Sequence, residues 1–317
     1  MTATATPLAL VKRSAKAVLT SRGVRWTVSQ PPVCRLVTPA FRPLSAYLPR
    51  STLFAMPVQR RFEVTLDDPS RSFAFEVHPG DSISKALFWY GLEGYERHAL
   101  KLMAALVRSA TTLLDVGANS GVYTLLAAAS NDDLTVHAFE PVPAVFARLQ
   151  RNVGLNRFPS VHLHQMAVSD TSGRAVIHVP RVAVPLESSL LAGFRPDTDA
   201  VDVEVTSIDD FVTTTGLESV DVMKIDTEGT AHTVITGALG TLERHAPLLL
   251  CEVLYSVSTD TDAWPLLRDL GYQAFLVTTD GLVPDTLVRG DPEFRNMNYV
   301  FAHADRVDYL TSLVPLR

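Results

Sequence analysis

The chain has 317 residues, 47% of them hydrophobic and 20% charged, with 20 Pro, 16 Gly and 2 Cys, which is too apolar for a disordered polymer and too poor in cysteine for a disulfide scaffold. Its net charge of −6 hides a split, because residues 1–61 carry ten Lys or Arg and no acid, leaving 18 cations against 34 anions, a balance of −16, in the remainder. An acidic body argues against a nucleic-acid groove there, since phosphate neutralisation needs clustered cations, and no apolar run reaches the ~20 residues of a membrane span.

In chain order, the first expected piece is a basic arm, residues 1–60, punctuated by Pro at 7, 31, 32, 39, 43, 49 and 57. Its best helical stretch is 8–19, where Leu8, Val11, Ala15 and Leu19 share a face beside Lys12 and Lys16. Such an arm suits a loosely docked extension, a targeting segment or a peripheral membrane contact. Cys34 and Cys251 fall in different segments, which points to a reducing, cytoplasmic compartment. Organelle targeting or membrane contact through residues 1–57 is the alternative.

Residues 61–109 read as a hairpin and a helical cap. Phe62, Val64 and Leu66 alternate, as do Phe73, Phe75 and Val77, around the turn Asp67-Asp68-Pro69-Ser70. Helices are expected at 83–90 and 93–108, after a break at Pro79-Gly80-Asp81-Ser82 that holds an N-cap candidate. From Thr112 short apolar strands alternate with helices, the mark of a parallel α/β sheet. Strands are expected at 113–116, 135–139, 161–165, 221–225, 248–253, 272–277 and 298–301, and helices at 121–129, 144–153, 231–245 and 263–270. An extra strand at 201–206 sets Val201, Val203 and Val205 against Asp202 and Glu204, so one of its faces is wet. The main body is thus 110–304, with a short tail, 305–317.

The first strand runs into Asp115-Val116-Gly117-Ala118-Asn119-Ser120-Gly121 and then a helix. In an open α/β sheet such a turn lies at the carboxyl edge, where ligands bind. The spacing is Gly-x-x-x-Gly, with Asn119 where a dinucleotide motif keeps a glycine, so the loop suits a nucleoside without a diphosphate. Asp115 can accept from a ligand ammonium. Glu140, followed by Pro141, closes the second strand 25 residues later, where an acid can hold both ribose hydroxyls. Asp170, after the third strand, is a candidate for an adenine amino group, although Asp170-Thr171-Ser172-Gly173 also reads as an ordinary turn.

The fourth strand ends in Met223-Lys224-Ile225-Asp226-Thr227-Glu228-Gly229. Lys224 and Asp226 share one strand face, and Asp226 and Glu228 reach the same sheet edge as Asp115 and Glu140. Paired carboxylates can accept a proton or hold a cation, whereas the plainer reading has Lys224 compensating Asp226. His232, at the start of the next helix, is the third candidate for proton transfer. His162 and His164 share a strand face, but no further ligand stands nearby to complete a metal site.

These residues resemble the FkbM-type, S-adenosylmethionine-dependent methyltransferases. The likeness runs through 114–124, Phe139-Glu140-Pro141, 152–156, Ser207-Ile208-Asp209 and 223–229, with Gly237-Ala238 and Cys251-Glu252-Val253 beyond. It implies a class I, Rossmann-like methyltransferase fold with a seven-stranded, mostly parallel sheet, preceded by the hairpin and cap. It further implies S-adenosylmethionine as donor, and a hydroxyl of a sugar, polyketide, glycolipid or similar small molecule as acceptor, with a divalent metal left open. In this reading the cofactor residues are Asp115, Gly117, Ala118, Asn119, Gly121, Glu140, Pro141, Asp170 and Asp226, and the catalytic candidates are Asp226, Glu228 and His232. Ala231 stands where the family often has a second acid. The rival readings are a nicotinamide oxidoreductase and a nucleoside-binding protein without activity.

Overall fold

The computed structural model describes residues 45, 48–56, 58, 61–78, 81–180, 198–227, 229–255, 262–293 and 295–317. The expected helix at 8–19, most of the basic arm, the stretch 181–197 and Glu228 lie outside the described residues. The chain divides into two units.

The first unit contains helix α1 (Arg50–Ala55), strand β1 (Arg61–Thr65), most of strand β2 (Ser72–Glu76) and helix α2 (Ser82–Tyr90). β1 and β2 pair as a two-stranded sheet. Asp68 shapes the turn between them by accepting from the Ser70 amide at 2.9 Å and its hydroxyl at 2.7 Å, the local bonding that favours Asp in turns. Asp81 caps α2, its side chain accepting from the Ile83 amide at 2.8 Å. Leu53, Met56, Val77, Phe88 and Trp89 form the core, with Phe62 edge-on to Phe88 at 5.2 Å.

The second unit begins with helix α3 (Arg97–Leu106) and continues as β3 (Thr112–Val116), α4 (Val122–Ser130), β4 (Thr135–Phe139), α5 (Pro143–Gly154), β5 (Val161–His164), β6 (Ala167–Val168), β7 (Gly173–Pro180) and β8 (Thr198–Thr206). It then runs through α6 (Ile208–Thr215), β9 (Val222–Ile225), α7 (Ala231–Thr236), α8 (Leu239–His245), β10 (Leu248–Glu252), α9 (Ala263–Asp269), β11 (Tyr272–Thr278), β12 (Gly281–Pro284), β13 (Asn298–His303) and α10 (Val307–Leu313).

The main sheet has eight strands in the order β12-β11-β13-β10-β9-β3-β4-β5. β10, β9, β3, β4 and β5 are parallel, and β13 runs antiparallel to both β10 and β11. Seven of these are the expected strands. The eighth, β12, is a short antiparallel partner of β11. The chain winds outward from β3 through β4 to β5, then resumes on the other side at β9 and β10. The topological switch point therefore lies between β3 and β9, at whose carboxyl ends a crevice opens in doubly wound sheets.

Alternation along the central strands assigns the two faces. Leu114, Val116, Met223, Ile225, Leu249 and Cys251 join one core with residues of α6, α7, α8 and α9. On the opposite face, Ala138 packs with Phe146 and Leu149 of α5, and α4 is buried along most of its length. The valine-bearing strand β8 belongs to a separate three-stranded sheet, β6-β8-β7. Its Val203 and Val205 are buried with Val142, Val145 and Ile177, whereas Asp202 and Glu204 are exposed.

The single expected helix at 231–245 is two, α7 and α8, separated at Gly237 and Ala238. An added Cβ on Gly237 would meet the Ser169 carbonyl oxygen at 2.1 Å. The Gly237 carbonyl accepts from the Asp209 amide at 2.9 Å, and the Asp209 carboxylate accepts from the Gly240 and Thr241 amides at 2.9 and 2.7 Å. Asp209 thus supplies from outside the bonds that a continuous helix would make internally.

Candidate functional site

The loop after β3 is shaped by sterics before any ligand is considered. Gly117 has φ +77°, and a Cβ there would lie 1.8 Å from the Asp226 carbonyl oxygen, so only glycine lets the two strand ends meet. The amides of Gly117 and Ala118 donate to the Phe139 carbonyl at 3.1 and 2.9 Å, and the Asp226 amide donates to the Val116 carbonyl at 3.1 Å. These bonds fix the loop to the ends of β4 and β9. Asn119 adopts φ +51°, which Asn tolerates because its short side chain bonds locally; here its Oδ1 accepts from the Ser120 amide at 2.7 Å. Gly121, at φ +94°, opens α4, and Asn152 of α5 donates to the Ser120 carbonyl at 2.7 Å.

Glu140 sits one residue past β4 and is only 6% exposed. Its Oε2 accepts from the Asn119 amide at 3.1 Å and its Oε1 from the Val142 amide at 2.9 Å. The carboxylate thus joins the glycine loop to the start of α5, and each oxygen keeps a lone pair for another donor. Burial pushes Glu140 up to about 7, against the pull of the two amides and Lys224. Pro141 follows it, partly exposed.

Asp115 and Lys224 are neighbours in the β3–β9 register and lie on the face covered by α4. Asp115 is fully buried, its Oδ2 accepting from the Thr124 hydroxyl at 2.5 Å. Its Oδ1 lies 3.7 Å from Lys224 Nζ and has no hydrogen-bond partner among the described residues. Burial raises the Asp115 carboxyl, while Lys224 and Thr124 oppose that rise. Lys224 Nζ donates to Asp226 Oδ2 and to the Gly117 carbonyl, each at 3.1 Å, and stands 4.9 Å from the centre of the Tyr123 ring. Asp226 is the more open partner, its side chain 22% exposed against 6% for Lys224.

Asp115, Gly117, Ala118, Asn119, Glu140 and Asp226 are therefore connected through bonds at one sheet edge. Asp170 lies in an exposed turn, where the Ser169 and Thr171 hydroxyls donate to it at 3.2 and 3.4 Å. His232 lies in the first turn of α7, half-buried, its Nδ1 without a hydrogen-bond partner among the described residues. The strand histidines gain a third member, His137, whose Nδ1 is 3.1 Å from His164 Nε2 and whose ring stacks 5.0 Å from His162. Burial and the two neighbouring imidazoles lower His137 to about 4. Among the described residues no group of three or more His, Cys, Asp or Glu is arranged to hold a metal ion. Lys224 pairs with Asp226 as strand alternation predicts, whereas its bond to the loop carbonyl and the Thr124 bond to Asp115 have no sequence signal.

A family model described as the methyltransferase FkbM domain matches residues 115–274, half of the chain and all of the polar rim. The chain belongs to the FkbM methyltransferase family. Its fold is accordingly the class I, Rossmann-like methyltransferase fold. Among its relatives, the 31-O-demethyl-FK506 methyltransferase FkbM of Streptomyces tacrolimicus is 28% identical over 175 residues, 45% of this chain and 63% of that protein. The 2-O-methyltransferase NoeI of Sinorhizobium fredii is 27% identical over 158 residues, 45% of this chain and 64% of that protein. The chain thus spans less than two thirds of the length of these relatives. The crystal structure of an FkbM methyltransferase from Methylobacillus flagellatus aligns with a TM-score of 0.42 at 16% identity, covering 69% of this chain and 53% of the other.

Proposed function

We propose that this FkbM-family chain transfers a methyl group from S-adenosylmethionine to a hydroxyl of a small molecule. The observation that carries the reading is Glu140, a buried carboxylate at the carboxyl end of β4, fastened to the glycine loop through the Asn119 amide. Its two remaining lone pairs match two adjacent ribose hydroxyls. The carboxyl groups of Asp115, Glu140 and Asp226 outnumber the Lys224 ammonium, which suits a donor carrying one net positive charge. Asn119 stands where a dinucleotide motif keeps a glycine, which disfavours a diphosphate-bearing ligand.

The donor, when bound, supplies a methyl group on a sulfonium, and the transfer requires chiefly that donor and acceptor be held close and aligned. Gly117, Ala118, Asn119 and Gly121 provide the backbone wall, Asp115 and Asp226 with Lys224 the charged end, Pro141 the side of the ribose site, and Asp170 a contact for the adenine. An acceptor hydroxyl must give up its proton; Asp226, Glu228 and His232 are the groups placed in sequence to take it. The names of the two relatives, both specifying an oxygen position, support O-methylation.

Calorimetric titration with S-adenosylhomocysteine tests the donor assignment. Wild-type protein binds it, and Glu140→Ala weakens binding by roughly 1–3 kcal/mol, as for a lost bond to a charged group. Equal affinity in both proteins contradicts the ribose assignment. Incubation with radiolabelled methyl donor and a fractionated extract of the source cells then identifies the acceptor class, and label in no fraction contradicts the catalytic reading.

A further inference from the structure

The Lys224 ammonium reaches both strands flanking the switch point. It lies 3.1 Å from Asp226 and 3.7 Å from Asp115, and it donates at 3.1 Å to the carbonyl of Gly117, the first residue of the loop. The side chain is nearly enclosed, at 6% exposure, and the Tyr123 ring closes one side. A buried ammonium is costly unless several partners meet it, and these partners come from β3, β9, α4 and the loop itself. We propose that Lys224 is a positioning residue for the methyl donor: it fastens the glycine loop to β9 and offsets one of the two carboxylates beside it. The proposal rests on the donor-site reading above.

Two consequences follow from the geometry. Without the ammonium, the Gly117 carbonyl loses its donor from β9, and the amides of residues 117–121, which form the wall of the donor site, become freer to move. Two carboxylates then face each other across the β3–β9 junction with no cation between them. Both effects act on donor binding without touching any acceptor.

The test compares wild type with Lys224→Met, which keeps the stem and removes the charge, measured by calorimetry with S-adenosylhomocysteine at a temperature where both are folded. The expected result is an affinity loss of roughly tenfold to a hundredfold, the range for a lost charge-assisted contact. Faster hydrogen exchange at the 117–121 amides should accompany it. A lower melting temperature with unchanged affinity and exchange would mark Lys224 as merely structural and overturn the proposal. Should Lys224→Met not fold, Lys224→Gln, whose amide can still donate to the Gly117 carbonyl, decides: weaker binding supports the charge-offsetting role, and wild-type affinity overturns it. If wild-type protein itself binds no S-adenosylhomocysteine, the donor-site reading falls and this proposal with it. Binding by wild type matched by the variant removes only the role of Lys224.

Discussion

Gly117 and Glu140 illustrate two different ways in which a single residue sets the site. For Gly117 the constraint is space: a Cβ would overlap the Asp226 carbonyl at 1.8 Å, at a φ of +77° that side chains rarely adopt. Gly117→Ala should cost about 2–4 kcal/mol of stability, from overpacking and left-handed strain together, measured by urea denaturation; a loss below about 0.5 kcal/mol would show that the strand ends separate easily. For Glu140 the constraint is solvation. Its carboxyl is raised from the ordinary 4.5 to about 7, so between those values the folded chain binds more protons than the unfolded one. That stabilising contribution is complete below 4.5 and is lost as pH rises through 7. Donor binding should move the opposite way, because ribose hydroxyls donate to the ionised form. Affinity for S-adenosylhomocysteine is expected to rise from pH 6 to pH 8, and Glu140→Gln should flatten that profile; a wild-type affinity independent of pH over this interval would contradict the role. Asp115, Glu140 and Asp226 are legible as candidates because each lies within a residue of the carboxyl end of a strand, next to a turn signal. That Asp115 is wholly covered by Thr124 and Lys224 is not, since burial depends on which helix lies over the strand.

Among the elements, strands were the easiest to read and connections the hardest. β3, β4, β9 and β10 are short apolar runs bounded by turn residues, and each lies where alternation and length placed it. β7, of mixed polarity at the edge of the small sheet, and β12, only four residues at the edge of the main sheet, carry no long buried run that marks a strand in sequence. The division between α7 and α8 was invisible for another reason: its cause, Asp209, lies 30 residues away in α6. Asp209 accepts from the Gly240 and Thr241 amides and from the Thr241 hydroxyl at 2.6 Å. Asp209→Ala should destabilise the protein by about 1–3 kcal/mol, the range for a helix cap with several bonds. Asp209→Asn, which keeps one acceptor, should recover part of that loss. Thermal unfolding of the two variants checks it, and equal melting temperatures for wild type and Asp209→Ala would show that α8 needs no external cap.

At the scale of the whole molecule, the order of strands does what no single motif can. Asp115, Glu140 and Asp226 are spread over more than a hundred residues, yet the reversal of winding between β3 and β9 brings three strand ends side by side. The alternation of strands and helices made a parallel sheet legible in advance. The side chains facing one another across its edge follow from register, which sequence pattern alone does not set. The charge split has a different standing, because the cationic residues of 1–61 fall mostly outside the described part of the chain; no helix among the described residues is long and apolar enough to cross a membrane. The proposed donor site seats a nucleoside at the junction of β3, β4 and β9. A crystal structure of the protein with S-adenosylhomocysteine tests this most directly. The prediction is electron density for the nucleoside against the 117–121 loop, with both ribose hydroxyls within hydrogen-bonding distance of the Glu140 carboxylate; density at any other edge of the sheet, or a ribose facing away from Glu140, would contradict it.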